Sequence, residues 1–248
     1  MEGVRGVVLC GGPGKRLRPI TYYFQKTMVP IGRRQKPVLE YIVRLLRHHG
    51  ITKLTLLVDY KAEQIINYFD DGSRFGVDIT YVYDEPGMKG TAGSVLNAYR
   101  KGAVGADETL LIYYGDILSN IDLGGLIGYH REKNALITVA LALSFIIRVG
   151  VAQLEDDGRI VRFKEKPKLD KPVSIGILAL EGRALRDLEG LMEGRNELDI
   201  MGDVVPYLAR AGGAYGYITD AYWYDIGSIE AYEKLDAEAV DRYFSHLF

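Results

Sequence analysis

The 248-residue sequence contains one cysteine, and none of its apolar runs is long. A lone Cys10 cannot form an intramolecular disulfide, and it lies in an apolar segment of strand length. We therefore predict a core residue rather than a nucleophile, in a reducing, cytoplasmic compartment. Apolar runs stop well short of the ~18 residues that span a bilayer, and no signal peptide is recognisable, so no membrane partner is expected.

Acidic residues are absent from one long stretch near the start of the chain. Between Gly3 and Leu39 there is no Asp or Glu, but there are eight Lys or Arg. The whole chain has 31 basic and 33 acidic residues, which leaves 23 against 33 elsewhere. Such a concentration of positive charge predicts an anion site, and the overall neutrality argues against a nucleic-acid partner.

A glycine-rich turn lies inside this basic stretch. The apolar run Val4–Cys10, typical of a strand buried on both faces, leads directly into Gly11, Gly12, Pro13 and Gly14. Such turns let backbone N–H groups approach an anion, so we predict a polyphosphate site. The Walker pattern fails because Arg16 follows Gly14-Lys15, and the dinucleotide pattern fails because Leu17 replaces its third glycine.

The remaining pattern predicts an α/β protein. Strands and helices alternate up to about residue 134, which favours a mainly parallel sheet covered on both faces. Shorter strands with tight turns follow, and Asp156-Asp157-Gly158 indicates a hairpin. The predicted strands are Val4–Cys10, Lys53–Asp59, Val77–Tyr83, Thr109–Tyr114, Ala135–Leu143, Val149–Leu154, Ile160–Lys164, Ser174–Leu180, Tyr215–Ile218 and Tyr222–Tyr224. The predicted helices are Pro37–Gly50, Ala62–Phe69, Ala92–Lys101, Gly182–Met192, Asp203–Ala211 and Ser228–Tyr243.

The glycine loop belongs to a longer motif. The run Gly11–Pro19 (GGPGKRLRP), followed by Lys26 and by Met28-Val29-Pro30, resembles the signature of the sugar-phosphate nucleotidyltransferases, or nucleotide-sugar pyrophosphorylases. The resemblance implies a Rossmann-like, three-layer α/β/α fold of the nucleotide-diphospho-sugar transferase type, with a mixed, mainly parallel central sheet. It also implies a single domain, 1–248, with a nucleotide-binding half, 1–134, and a sugar-phosphate-binding half, 135–248. A homo-oligomer is compatible with it.

The implied reaction joins a nucleoside triphosphate to a sugar 1-phosphate and releases pyrophosphate. By resemblance, Arg16 and Lys26 are catalytic groups at the β- and γ-phosphates. The segment Asp84–Ser94 resembles the nucleobase loop, although an ordinary loop with a helix cap stays open as an alternative. The full set of implied nucleotide-binding residues is Leu9, Gly11, Gly12, Gly14, Lys15, Glu85, Gly90 and Thr91.

Two separated aspartates are candidate metal ligands. Asp116 follows an apolar strand, and Asp225 lies in the motif Tyr222–Gly227. The family uses an Asp at each place to bind Mg²⁺, a hard cation that takes one or two carboxylates plus phosphate oxygens. The alternative for each is a turn or cap residue.

The sugar phosphate is assigned to a later segment. Glu165-Lys166-Pro167 matches the family motif, in which the Glu binds sugar hydroxyls and the Lys, a third catalytic group, contacts the phosphates. Ser174 replaces a sugar-binding Asn, and Gly176 follows it. No histidine lies in a motif, and none is needed as a base, because a phosphate monoester has a second pKa of about 6.

The substrates are harder to assign than the reaction. Glu85-Pro86, followed by Gly90-Thr91-Ala92-Gly93, most resembles the guanylyltransferases that act on mannose 1-phosphate, with one extra residue before Gly90. A glucose-1-phosphate uridylyl- or thymidylyltransferase is an alternative. So is an inactive regulatory homologue that binds nucleotide sugars.

Overall fold

The computed structural model describes residues 1–143, 145–147, 149–169 and 171–248. The strands are β1 Val4–Leu9, β2 Pro30–Ile31, β3 Lys36–Pro37, β4 Lys53–Val58, β5 Asp78–Tyr83, β6 Thr109–Tyr114, β7 Ile117–Ser119, β8 Ile137–Ala142, β9 Phe145–Ile146, β10 Val151–Leu154, β11 Ile160–Lys164, β12 Lys168–Leu169, β13 Val173–Glu181, β14 Ala214–Thr219 and β15 Trp223–Asp225. The α-helices are α1 Val38–His48, α2 Ala62–Phe69, α3 Gly90–Arg100, α4 Leu123–Glu132, α5 Leu185–Met192, α6 Val205–Arg210, α7 Ile229–Glu233 and α8 Ala237–Phe244. In these ranges no helix has the length and apolar character needed to cross a bilayer.

Seven strands form the central sheet, in the order β14-β8-β13-β6-β1-β4-β5. β6, β1, β4 and β5 are mutually parallel, and β14 is parallel to β8. β13 runs antiparallel to both of its neighbours. The sheet is therefore mixed and mainly parallel, as predicted, and it takes strands from both predicted halves of the chain.

The core lies on both faces of this sheet. Val7 and Val8 are adjacent in β1 and fully buried, but they belong to different apolar clusters. Val7 packs in the cluster that includes residues of α3, α5 and α6, whereas the cluster of Val8 includes α1, α2, α4 and α8. Each such side chain contributes about 1.5–3 kcal/mol on burial. The three-layer arrangement is confirmed, and it explains why β1 is apolar without alternation.

One helix prediction is wrong, and one helix was not predicted. The single helix expected at Ser228–Tyr243 is wrong, because α7 ends at Glu233 and a separate helix begins at Ala237. The Asp236 carboxylate accepts a hydrogen bond from the Glu238 amide at 2.9 Å, which caps the second helix. Helix α4 was not predicted; Asp122 caps it in the same way.

The segment from Phe145 to Leu169 contains two small antiparallel pairs. β10 and β11 form the predicted hairpin, and both strands are exposed along their whole length. Beside them β9 pairs with β12. Gly158 closes the hairpin turn with φ +85°, a value that favours glycine. Predicted strand ends in this region are shifted by a few residues at most.

Candidate active site

The glycine loop lies at the carboxyl end of β1, an interior strand of the sheet. Gly14 adopts φ +59°, and a Cβ there would come within 2.8 Å of Thr21 Cγ2 and 3.1 Å of Lys26 Cβ. The missing side chain therefore lets Lys26 pack against the loop. A Cβ on Gly12 would meet nothing within 4 Å, so its backbone is open to a ligand.

The two predicted metal ligands are neighbours in space. Asp116 follows β6, and β7 pairs antiparallel with β15 so that Ile117 lies opposite Asp225. The Ile226 amide donates to the Asp116 carbonyl oxygen at 2.9 Å. Strand pairing thus places these distant aspartates side by side next to the glycine loop.

Cations surround this carboxylate pair. The Lys26 ammonium is ion-paired with Asp116, and the two side chains are only 16% and 19% exposed. Arg16 Nη2 lies 3.0 Å from where a Cβ of Gly227 would be, beside Asp225. Although Asp225 reaches solvent, desolvation in the crowded cleft and then the charge of Asp116 raise its pKa, while Lys26 and Arg16 act in the opposite direction.

The carboxylate pair fits a divalent metal ion. The two oxygen-donor side chains repel one another, and a cation held between them would remove that repulsion. Among the described residues no group of three His, Cys, Asp or Glu forms a cage made of protein alone. Two carboxylates with room for phosphate oxygens and water suit Mg²⁺.

A cavity of about 570 Å³ opens beside Asp225, and Arg16 also lines it. Its apolar wall includes Trp223 and Phe145, whose rings stack with centroids 6.3 Å apart. A volume of about 300–1,000 Å³ is usual for small-molecule sites. The cavity can therefore hold a substrate whose charged end meets Arg16.

The predicted sugar-binding residues are only partly brought to this site. Gly176 has φ +72°, and a Cβ there would lie 3.2 Å from Tyr114 Cβ and 3.1 Å from Ile117 Cγ1, at the strand end that carries Asp116. Ser174 is exposed, and its Oγ accepts a hydrogen bond from the Gly176 amide at 3.3 Å.

Glu165 and Lys166 lie on the hairpin side of the molecule. Both side chains are 64% exposed, and within the described part of the chain they pair with each other, at 3.9 Å, and not with the aspartates. Lys166 has φ +45°, an unusual value for a lysine. Their contact with the sugar phosphate stays a prediction.

The predicted nucleobase loop has strong internal contacts. Gly90 has φ +81°, and a Cβ there would lie 2.4 Å from the Leu198 carbonyl oxygen. Thr91 Oγ1 donates to Asp199 Oδ2 and accepts from the Ile200 amide, both at 2.8 Å. These contacts give Gly90 and Thr91 a structural role at the start of α3, without the side-chain helix cap that the alternative expected, and nucleotide binding by them stays a prediction. Glu85 is ion-paired with Lys101 at 2.7 Å.

Two carboxylates on the other side of the glycine loop are absent from the predicted site residues, although Asp84 begins the predicted nucleobase segment Asp84–Ser94. A Cβ on Gly11 would come within 2.6 Å of Asp84 Oδ2 and 3.3 Å of Asp59 Cβ. Asp59 and Asp84 each directly follow a strand parallel to β1, and Asp116 follows another such strand after one glycine. That shared position was the signal that could have identified them.

Cys10 lies under the loop and is almost fully buried. Burial raises the pKa of its thiol far above the usual range, so the thiolate is strongly disfavoured. Cys10 is a core residue, as predicted.

A mixed α/β sheet with a glycine loop and carboxylates at its strand ends is an arrangement typical of nucleotide-binding α/β proteins. Comparison with known proteins identifies the family. Residues 5–242 match the nucleotidyl transferase family model, and the chain belongs to this family. The fold agrees with that of HddC from Yersinia pseudotuberculosis, with a TM-score of 0.70, 22% identity and coverage of 95% of this chain and 98% of that one.

Two relatives named as sugar-1-phosphate nucleotidyltransferases show the range of substrates. The chain is 32% identical to a UTP–glucose-1-phosphate uridylyltransferase of Synechocystis, over 92% of this chain and 61% of the relative, so it spans less than two thirds of that protein. It is also 32% identical to a D-glycero-α-D-manno-heptose 1-phosphate guanylyltransferase of Aneurinibacillus thermoaerophilus, over 95% of this chain and 98% of the relative.

Proposed function

We propose that this chain transfers a nucleotidyl group from a nucleoside triphosphate to a sugar 1-phosphate, with GTP and mannose 1-phosphate as the substrates. One observation carries the proposal: Arg16, Lys26 and the two aspartates converge beside the glycine loop and a cavity of substrate size. Both substrates are polyanions, so the main barrier is their mutual repulsion.

In the proposed reaction a phosphate oxygen of the sugar 1-phosphate attacks the α-phosphorus of the triphosphate. A new P–O bond forms, and the bond from the α-phosphorus to the bridging oxygen breaks. The electron pair of that bond leaves with pyrophosphate. The attacking phosphate is already largely dianionic near neutral pH, because its second pKa is about 6, so no protein base has to remove a proton.

Positioning and charge neutralisation are then the tasks of the side chains. Arg16 and Lys26 would face the β- and γ-phosphates, where negative charge grows as pyrophosphate departs. Asp116 and Asp225 would hold Mg²⁺, which when bound supplies positive charge that draws the two phosphates together. Lys166 would add a further cation if the exposed segment that carries it moves toward the site.

The choice of GTP and mannose 1-phosphate is supported by the Glu85–Gly93 motif and by the manno-configured guanylyltransferase relative. The uridylyltransferase relative supports the alternative pair, UTP or dTTP with glucose 1-phosphate. A matrix of nucleoside triphosphates against sugar 1-phosphates, read as released pyrophosphate in the presence of Mg²⁺, separates these choices. No pyrophosphate in any well would favour the regulatory homologue instead.

A further inference from the structure

Lys26 lies in a loop that contains neither a strand nor an α-helix. Between β1 and β2, a stretch that the structure describes in full, the chain forms only short 3₁₀ turns, and Lys26 begins the last of them. The regular hydrogen bonds of a sheet or an α-helix therefore do not set the position of this lysine. Side chains have to do so instead.

The start of α2 holds the backbone of this loop from the outside. Tyr60 Oη, Lys61 Nζ and Gln64 Nε2 donate to the carbonyl oxygens of three consecutive loop residues, at 3.0, 2.9 and 2.7 Å. Gln64 Oε1 then accepts a hydrogen bond from the Gln25 amide nitrogen at 2.7 Å. The loop backbone is thus held up to the residue that precedes Lys26.

The Gln25 side chain holds the loop from the inside. It is fully buried, and its Nε2 donates to the Cys10 carbonyl oxygen. Its Oε1 accepts from the Thr27 amide at 2.5 Å and from the Thr27 hydroxyl at 2.6 Å. These partners need a donor at one end of the side chain and an acceptor at the other, which a carboxylate cannot supply. A buried amide with its partners in place is a rigid connection.

This amide lies where three parts of the site meet. Cys10 immediately precedes the glycine loop. Thr27 Cγ2 lies 2.7 Å from where a Cβ of Gly115 would be, and the next residue is Asp116. Lys26 itself directly precedes Thr27 and is ion-paired with Asp116. One buried side chain therefore connects the glycine loop, the lysine and the segment that carries a predicted metal ligand.

We infer that Gln25 is a positioning residue, whose buried amide holds Lys26 where negative charge grows on the departing pyrophosphate. The inference rests on the proposed nucleotidyl transfer. Gln25 is enclosed and acts only through Lys26, so it is not a catalytic group itself. A misplacement of about 1 Å at a reacting site can lower a rate by about 100-fold, so an enclosed side chain can control kcat.

A double-mutant cycle on the full chain tests this role. Gln25→Met fills a similar space but removes both the donor and the acceptor. We expect kcat for pyrophosphate release from GTP and mannose 1-phosphate to fall by about 10- to 100-fold. The KM of mannose 1-phosphate should stay within about twofold, because Lys26 faces the other substrate. In the Lys26→Ala background, Gln25→Met should change kcat by less than about twofold, because the group through which it acts is already absent.

A milder variant and a matched control accompany the cycle. Thr27→Val removes only the hydroxyl donor, so it should show the same coupling to Lys26→Ala with a smaller loss, and it serves if Gln25→Met does not fold. Gln35→Met is the control, because Gln35 lies in the same basic stretch and its Nε2 also donates to a backbone carbonyl oxygen, at 2.8 Å. It should leave kcat and KM unchanged. Losses that multiply in the double variant, or a raised KM with unchanged kcat, would overturn the inference.

Binding of inorganic tripolyphosphate in the presence of Mg²⁺ separates this inference from the proposed reaction. It is measured calorimetrically on the wild type, the two single variants and the double variant. Coupled losses of affinity, with no pyrophosphate released by the wild type, would refute transfer and support the positioning role. Pyrophosphate release by the wild type, with independent losses in both cycles, would support transfer and refute the positioning role. A wild type that neither binds tripolyphosphate nor releases pyrophosphate would refute both.

Discussion

Lys26→Ala is the substitution that tests the proposed site most directly. The Lys26 side chain is 16% exposed and pairs with Asp116, and its Cβ packs against Gly14. Alanine keeps that Cβ and removes the rest of the side chain, including the cation. Loss of one group that stabilises developing charge lowers kcat by about 10²–10³-fold.

Stability should change much less than activity. Asp116 would lose its ion-pair partner, but 19% of its side chain reaches solvent and can be hydrated. We expect a loss of about 1–2 kcal/mol in the free energy of unfolding, which leaves a domain of usual stability folded. Arg33→Ala is the matched control, because Arg33 lies in the same basic stretch and forms an exposed ion pair with Glu238.

The same variant also has an expected pH dependence. Lys26 lowers the pKa of Asp225, so its removal allows that pKa to rise. Because the ionised carboxylate is the active form, the acid limb of kcat/KM should move to higher pH. Steady-state pyrophosphate release from pH 5 to pH 9 measures both effects. An unchanged kcat, or an acid limb that moves to lower pH, would refute the assignment of Lys26.

The same geometry predicts a loss of activity, a loss of stability and a fluorescence change. Asp225→Asn should abolish pyrophosphate release without changing the circular dichroism spectrum, and a rate near that of the wild type would show that this carboxylate is dispensable. Gly90→Ala should lower the free energy of unfolding, measured by chemical denaturation, by more than about 2 kcal/mol, because the new Cβ would clash with the Leu198 carbonyl oxygen. Gly87→Ala should lower it by only about 1–2 kcal/mol, because Gly87 has φ +91° but open space where a Cβ would lie. Trp223 is the sole tryptophan and lines the cavity, so its fluorescence should change on addition of sugar 1-phosphate; no change at saturation would place the sugar elsewhere.

The sheet was largely predictable from sequence because its central strands are buried on both faces. β1, β4 and β6 are apolar runs that no helix periodicity imitates, whereas β5 is an edge strand and only partly buried. Helix α4 was missed because its sequence, LGGLIGYHRE, contains three glycines, which lower helix propensity. The separation of α7 from α8 was not predicted, because it depends on Asp236 capping α8. The charge of Asp236 does not distinguish a helix cap from a residue inside a helix.

For the site, sequence alone identified the glycine loop and both aspartates of the carboxylate pair. It placed Asp84 in the nucleobase segment but did not relate Asp59 or Asp84 to Gly11, because that relation depends on β4 pairing with β1 and β5 pairing with β4. The structural function of Gly90 was also hidden, since the Leu198 carbonyl that excludes a side chain there comes from a distant segment. Adjacency in the sheet, rather than residue type, was the missing information.

The pairing of β7 with β15 has a consequence for when the carboxylate pair can form during synthesis. Asp116 emerges from the ribosome with the first half of the chain, but Asp225 joins it only when the last part of the chain has been made and has folded back. A nascent chain can thus present its glycine loop long before its carboxylate pair is complete. The proposed transfer chemistry therefore depends on a contact between two segments that are distant in the sequence.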